Sequence, residues 1–188
     1  KVSPAAASLA HLSERIFDLS EIAAAINEAI DERGQVRDTA SRRLATIRGA
    51  IEDAKVRVRG VFDRLVRQAG ITRYLQYGGA TFHDDRMVLP LKAEYRGRIP
   101  GIVHRSSDSG ATLFVEPSES VELNNTIVRL REEENKEVTQ ILKGLTQRIQ
   151  LNARAIIGTL GGMAVLDLIA AKCRYAKKRR CICPAINE

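Results

Sequence analysis

The feature that most constrains this chain is an apolar stripe in its first third. From Asp38 to Gly70 apolar residues recur in steps of three and four, which places them on one face of an α-helix, as in a coiled coil. The stripe consists of Leu44, Ile47, Ile51, Ala54, Val58, Val61 and Leu65. A helix over this stretch would be about 45 Å long at roughly 1.5 Å per residue. Small globular domains rarely need such a helix, so the pattern predicts an extended helical arm.

Shorter helices are predicted before this arm. Ser3-Pro4 has the composition of a helix start, because Pro is tolerated at the first helical position. Ser20-Glu21 restarts the helical pattern, and Gly34 is expected to end it.

The middle of the chain changes to the two-residue period of β-strands. Strands are predicted at residues 87–91, 99–103 and 111–115. Arg96-Gly97 resembles a two-residue hairpin turn, and Pro90 suits an edge strand or a bulge better than a central strand. The economical arrangement is a small antiparallel meander.

A second long helix is expected after Ser118-Glu119, a typical cap with an acid in the first turn. Its apolar positions are interrupted by a polar run at 131–137, which predicts a segment that crosses solvent between two bodies. Glycines 158, 161 and 162 are expected to end it, followed by an Ala-rich helix over 163–176.

The sequence thus predicts a mainly α protein: a helical core, two long antiparallel helices, and a small antiparallel β-sheet inserted between them. The expected parts are helical core at 1–37, outgoing helix at 38–70, β-sheet at 71–117, returning helix at 118–160 and helical core at 161–188. Arg43, Arg57 and Arg64 flank the outgoing stripe and could face acids within 132–137 on the return, where exposed pairs would set register more than stability.

The net charge of +7 comes mostly from one place. Six basic residues lie within 172–180 without an acid, and the rest of the chain carries only +1. Such a run either caps a helix dipole and stays solvated or contacts phosphate, and composition alone does not decide between the two.

No apolar run approaches the ~20 residues of a membrane span, and three cysteines do not form a secreted disulfide framework, so a cytoplasmic setting is expected. Because the chain starts at Lys1, we expect a piece of a longer protein.

The sequence contains no recognisable motif of a catalytic centre. The sequence has no phosphate-binding loop of the form G-x-x-x-x-G-K-[ST], and Cys181-x-Cys183 lacks zinc-site spacing. His83-Asp84-Asp85 fits a turn ahead of a strand better than a metal site. The chain is therefore expected to be no enzyme, with no metal or cofactor of its own.

Several strings resemble one known family. They are residues 86–97 (RMVLPLKAEYRG), 100–104 (PGIVH), 109–117 (SGATLFVEP), Asn124-Asn125, Leu166-Asp167 and 170–176, with the upstream pattern Gly34-x-Val-x-Asp-x-Ala-Ser-x-x-Leu-x-x-Ile-Arg48. They resemble the MutS two family over nearly the whole chain from about residue 12. Met87, where the family commonly has Tyr, and Asp108 depart from the pattern.

This resemblance implies the core, lever and clamp region of a DNA-binding protein. Family members suppress homologous recombination and bind branched DNA, and some act on stalled or collided ribosomes. The intact family protein uses ATP and Mg, often carries a Smr nuclease domain, and is expected to be a homodimer; neither the ATPase nor the nuclease residues can be assigned to positions of this chain.

Two hypotheses follow. In the first, the chain binds branched or duplex DNA, with RNA as a further possible ligand. The candidate contacts are Arg86, Lys92, Arg96, Arg98, Arg105, Lys177, Lys178 and Arg179, with Tyr95 and Phe114 as rings for stacking. In the second, it is a mechanical and protein-interaction module that acts on ribosomes.

Overall fold

A computed structural model describes residues 10–68 and 70–181, and it is mainly α with one small antiparallel sheet. The chain forms two compact units, one made of Lys1–Asp31 with Leu142–Glu188 and the other of Glu32–Ile141. The helix start predicted at Ser3-Pro4 lies outside the described residues.

The first unit contains α1 (Ser20–Ala29) and α4 (Ala153–Arg179). Helix α1 ends before the predicted stop, and Gly34 instead lies in a turn at φ +78°. The prediction that glycines 158, 161 and 162 end a helix is wrong, because α4 runs through all three.

Two of these glycines allow close packing of the segment that precedes α1. A Cβ at Gly158 would lie 3.4 Å from Phe17, and one at Gly162 would lie 3.3 Å from Ile16. The Phe17 N–H also donates to Thr159 Oγ1 at 3.0 Å. The small residues are therefore explained by packing, which a helix tolerates at modest cost.

Helix α4 also corrects the expectation that no segment could span a membrane. An 18-residue stretch within it has a mean hydropathy of 1.6, so α4 is long and apolar enough to cross a membrane by length and composition alone. Core helices of non-membrane proteins can be equally long and apolar. The alanines and glycines in α4 dilute its large apolar side chains without adding charge, which is why the sequence pattern missed it.

In the second unit, the long helix α2 runs from Arg42 to Arg67 and is preceded by a 3₁₀ turn at Asp38–Ala40. Ser41 is the N-cap, because its hydroxyl accepts a hydrogen bond from the Leu44 N–H at 2.9 Å. All seven predicted stripe residues are buried, which confirms the predicted seam.

The sheet has the strands β1 (Thr81–His83), β2 (Arg86–Lys92), β3 (Gly101–Ser106) and β4 (Thr112–Pro117), in the order β1-β2-β4-β3. The predicted meander is wrong, since β4 lies between β2 and β3. Residues 93–100 therefore form a crossover, and Arg96-Gly97 is no hairpin turn. Strand β4 has buried residues on both faces whereas every residue of β3 is exposed, so the more apolar strand takes the inner position.

Pro90 lies in an inner strand rather than at an edge. Its carbonyl accepts a hydrogen bond from the Gln76 N–H at 2.8 Å, and N–H and C=O of one strand residue point to the same side. The missing Pro90 N–H therefore faces the irregular segment around Gln76, and the ladder to β4 is left intact.

Helix α3 (Val121–Leu151) follows a 3₁₀ turn at Ser118–Ser120. The hydrophobic core of the unit joins the sheet to both long helices. Its members are Ala54, Val58, Phe62, Leu75, Met87, Leu89, Leu91, Ile99, Leu113, Val115 and Ile127.

The polar run on α3 does not cross solvent in this unit, contrary to the prediction. Glu134 and Glu137 are buried against the antiparallel α2. Glu137 accepts from the Ser41 hydroxyl at 2.7 Å and lies 3.6 Å from Arg43 Nε, which confirms the expected pairing of Arg43. Arg57 and Arg64 are exposed and, among the described residues, pair with no acid of this run, so the expectation is wrong for them. The charged run is therefore part of the interface between the two long helices α2 and α3.

Candidate nucleic-acid interface

A buried polar network fastens the sheet to the start of α3. The Glu116 carboxylate on β4 is fully buried, and Arg86 Nη1 donates to its two oxygens at 2.9 and 3.1 Å. His104 Nε2 on β3 contacts the second oxygen, and Asn124 Nδ2 on α3 donates to the first at 2.7 Å. Three strands and one helix thus share a single carboxylate, whose charge is balanced by Arg86.

The same network explains most of the signature strings. Asn124 also exchanges two hydrogen bonds with the Met87 backbone, at 2.9 and 3.0 Å, and Asn125 accepts from Arg86 at 2.8 Å. Gly101 is required because a Cβ there would lie 2.1 Å from the Glu116 carbonyl oxygen. The strings around residues 86, 101–104, 116 and 124–125 therefore meet at one structural joint.

A second polar contact joins the long helices α2 and α3. Arg48 Nε on α2 donates to Glu134 at 2.7 Å, Arg48 Nη1 donates to the Val36 carbonyl at 2.8 Å, and the guanidinium also pairs with Asp38. Burial by itself raises the pKa of Glu134, but hydrogen bonds from Arg48 and Arg131 outweigh it, so that pKa lies below its usual value. Glu134 is therefore held as a carboxylate between two guanidinium groups.

An aromatic and basic cluster lies where β2 ends. We call it the tyrosine–arginine cluster, and it consists of Arg73, Tyr74, Lys92, Tyr95 and Arg98. The Tyr74 and Tyr95 ring centres are 4.8 Å apart at an interplanar angle of 45°. The Arg73 guanidinium lies 4.9 Å from the Tyr74 ring centre and donates to the Tyr74 hydroxyl at 2.9 Å. The two rings are thus in contact but tilted, and Arg73 adds a cation–π contact to one of them.

Backbone contacts hold the cluster in place. Leu75 bridges to Leu91 on β2, which brings the 3₁₀ turn Thr72–Tyr74 beside the end of that strand. Lys92 Nζ then donates to the Arg73 carbonyl at 3.3 Å. The Arg98 N–H donates to the Tyr95 carbonyl at 3.1 Å, so Arg98 follows the turn that carries Tyr95.

The tyrosine–arginine cluster lies in a part of the chain with an excess of positive charge. The hydrogen bond from Arg73, together with the charges of Arg73 and Arg98, lowers the pKa of the Tyr74 hydroxyl. From residue 92 to residue 98 the chain has three basic residues and one acid, Glu94, and between residues 71 and 82 it has no acid. Such a surface suits a polyanion with planar groups.

The structure brings together some of the residues predicted as contacts and separates others. Lys92 and Arg98 belong to the cluster, and the exposed Arg96 lies in the same turn. Arg86 donates hydrogen bonds to the buried Glu116 carboxylate, so its charge is used within the fold rather than presented to a ligand. Arg105 is exposed on β3, with Asp108 3.4 Å away.

The remaining predicted contacts lie in the other unit. Lys177, Lys178 and Arg179 are exposed in the last turn of α4, where positive charge also offsets the helix dipole. Of the predicted rings, Phe114 packs against His83 with ring centres 5.4 Å apart, whereas Tyr95 joins the cluster.

Sequence reasoning missed Arg73 and Tyr74. The only local signal is a basic residue next to an aromatic one, shortly before Tyr77, in a stretch that otherwise reads as a break between helix and sheet. The proximity of these residues to Tyr95 depends on the pairing of Leu75 with Leu91, which no local pattern reveals.

Comparison with known proteins gives one consistent result. The chain is 39% identical over 180 residues to a protein named Endonuclease MutS2 from Geobacillus sp. (strain WCH70), covering 96% of this chain and 23% of that protein. Proteins of the same name from Shouchella clausii and Clostridium botulinum are each 38% identical, over 93% and 96% of this chain and 22% and 23% of their own lengths. No family model matches the sequence.

The chain thus spans about a quarter of the length of the curated relatives it matches. The similarity extends over both units and includes the strings that build the Glu116 joint. The chain therefore belongs to the MutS2 family and corresponds to one region of the longer proteins in it.

Proposed function

We propose that this chain binds DNA, branched or duplex, through the tyrosine–arginine cluster and Arg96, as the clamp of a longer MutS2-family protein. The observation that carries the proposal is the convergence of Arg73, Lys92 and Arg98 beside two partly exposed rings. Phosphates would be met by the guanidinium and ammonium groups, which release counterions on binding and make the affinity dependent on salt.

We further propose that α2 and α3 act as levers between this clamp and an ATPase domain of the longer protein. The contacts of Arg48 with Glu134 and of Ser41 with Glu137 support this role, because two helices joined in this way would move together and carry a displacement to the sheet. The Glu116 joint supports this function, because it makes α3 and the sheet one body. Cytoplasmic location and dimerisation of the longer protein belong to the same proposal and rest on the family resemblance.

The proposal is tested by fluorescence anisotropy of the 188-residue chain with a four-way junction, a linear duplex and single-stranded RNA across a salt series. The variant Arg96→Ala/Arg98→Ala is expected to bind DNA about tenfold or more weakly. The slope of log K against log salt should fall by about 1 for each phosphate that no longer meets a positive charge. Arg57→Ala is the matched control, since this exposed arginine lies on α2 and outside the cluster.

Absence of DNA binding at low salt would overturn the proposal for this chain, and an unchanged slope in the double variant would overturn the assigned residues. Tighter binding of the single-stranded RNA than of a single-stranded DNA of the same length would favour the alternative, action on stalled or collided ribosomes.

A further inference from the structure

We propose that the tyrosine–arginine cluster stacks an unpaired nucleobase on Tyr95, so that the preferred ligand contains unpaired bases, as a single strand or a flap does. This inference rests on the proposed function and narrows it, because phosphate contacts alone would not distinguish paired from unpaired DNA.

The cluster already holds two rings and a guanidinium in contact. The Arg73 guanidinium lies 4.9 Å from the Tyr74 ring centre, and Tyr74 lies against Tyr95 at a centroid distance of 4.8 Å with a tilt of 45°. Tyr95 is partly exposed. A base placed on its exposed part would add a further ring to this group, and aromatic side chains commonly hold single-stranded bases in this way.

The rings are poorly explained as core. The buried hydrophobic core of this unit is built of aliphatic side chains with Phe62 and Met87, and neither tyrosine belongs to it. The Tyr74 hydroxyl is held by Arg73, so that ring is oriented before any ligand arrives. A preoriented ring loses little conformational entropy on binding.

The turn that carries Tyr95 also supplies charge at a suitable spacing. Arg96 follows Tyr95 directly and Arg98 follows two residues later, both exposed. The hydrogen bonds from Arg96 N to Ala93 O at 3.2 Å and from Arg98 N to Tyr95 O at 3.1 Å close this turn on itself. The turn that would carry the base on Tyr95 thus also carries two exposed guanidinium groups, which we expect to meet phosphates next to that base. In a duplex the faces of the bases are covered by their neighbours, so Tyr95 could not act without unstacking.

The test compares two labelled oligonucleotides of about 12 nucleotides, one of thymidines and one abasic with the same phosphates. Both are titrated into the chain by anisotropy at one low salt concentration. We expect the thymidine strand to bind from about 5-fold to more than 100-fold more tightly, the range that one base–aromatic stack gives. The chain has four tyrosines and no tryptophan, so quenching of tyrosine emission reports stacking directly.

Three variants identify the ring. Tyr95→Leu keeps apolar cover and should abolish the preference for bases, Tyr95→Phe should retain it, and Tyr175→Leu on α4 is the matched control. Equal binding of the two strands, with a normal salt slope, would overturn the stacking inference and leave the proposed function standing. Failure of both strands and of the duplex to bind would overturn both. A preference for bases that survives in Tyr95→Leu would overturn the assignment to this ring.

Discussion

The Glu116 joint makes the sharpest prediction about stability. Substitution of Arg86 by Met removes the guanidinium that donates to both oxygens of a carboxylate with no solvent exposure. His104 and Asn124 would still contact the carboxylate, but its charge would be left without a full positive partner. Breaking one side of a buried pair costs about 3–5 kcal/mol, and we expect that loss of unfolding free energy for Arg86→Met.

A second variant separates buried charge from lost packing. Removing both partners in Arg86→Met/Glu116→Leu eliminates the isolated charge, and Asn124 keeps its hydrogen bonds to the Met87 backbone. The double variant should therefore be more stable than Arg86→Met alone by about 2 kcal/mol or more.

Urea unfolding followed by circular dichroism measures both values. Arg105→Met is the matched control, because this arginine is on the same sheet but exposed and 3.4 Å from Asp108; it should change stability by less than about 0.5 kcal/mol. A cost below about 1 kcal/mol for Arg86→Met, or a double variant no more stable than Arg86→Met alone, would contradict the role of the buried charge.

Three further predictions concern the same unit. Gly101→Ala should destabilise it by about 1–3 kcal/mol in urea unfolding, because the new Cβ meets the Glu116 carbonyl, and an unchanged midpoint would contradict that close approach. Ser41→Ala should cost about 1–2 kcal/mol, because the cap and the hydrogen bond to Glu137 are both removed. Ser41→Asp should keep the cap but repel Glu137, so it should also be less stable than the wild type; a Ser41→Asp variant as stable as the wild type would count against the role of Glu137. The pKa of Glu134 is lowered by folding, so its stabilisation is complete above the ordinary value of 4.5 and is lost as pH falls through the lower folded value. Unfolding measured from neutral to acidic pH should show this loss in the wild type and a flatter dependence in Glu134→Gln.

The long helices were predictable because their signal is local. The period of Leu44 to Leu65 follows from helix geometry, and all seven residues are buried as expected. The pairing of Arg43 with an acid on the return helix followed from the same register. The prediction failed at the glycines near 160, because a glycine can either end a helix or allow another segment to pack closely against it. Here Gly158 and Gly162 lie inside a helix and allow close packing of Phe17 and Ile16.

The order of the strands could not be predicted from adjacent residues. The chain order suggested a meander, but burial of Leu113 and Val115 gives β4 the inner position and leaves β3 at the edge. Strand pairing is decided by the sum of contacts across the sheet and the two helices, which a pattern along one strand does not contain.

The mainly α class, the two long helices, the inserted sheet and the family could all be predicted along the chain, because each depends on local periodicity or on residue identity. The roles of the charged residues could not. The fold places Arg86 against a buried carboxylate and brings Lys92, Tyr95 and Arg98 together with Arg73 and Tyr74 on one surface. An arginine has the same intrinsic chemistry in both places, so its neighbours in space determine whether its charge is neutralised inside the fold or presented to a ligand.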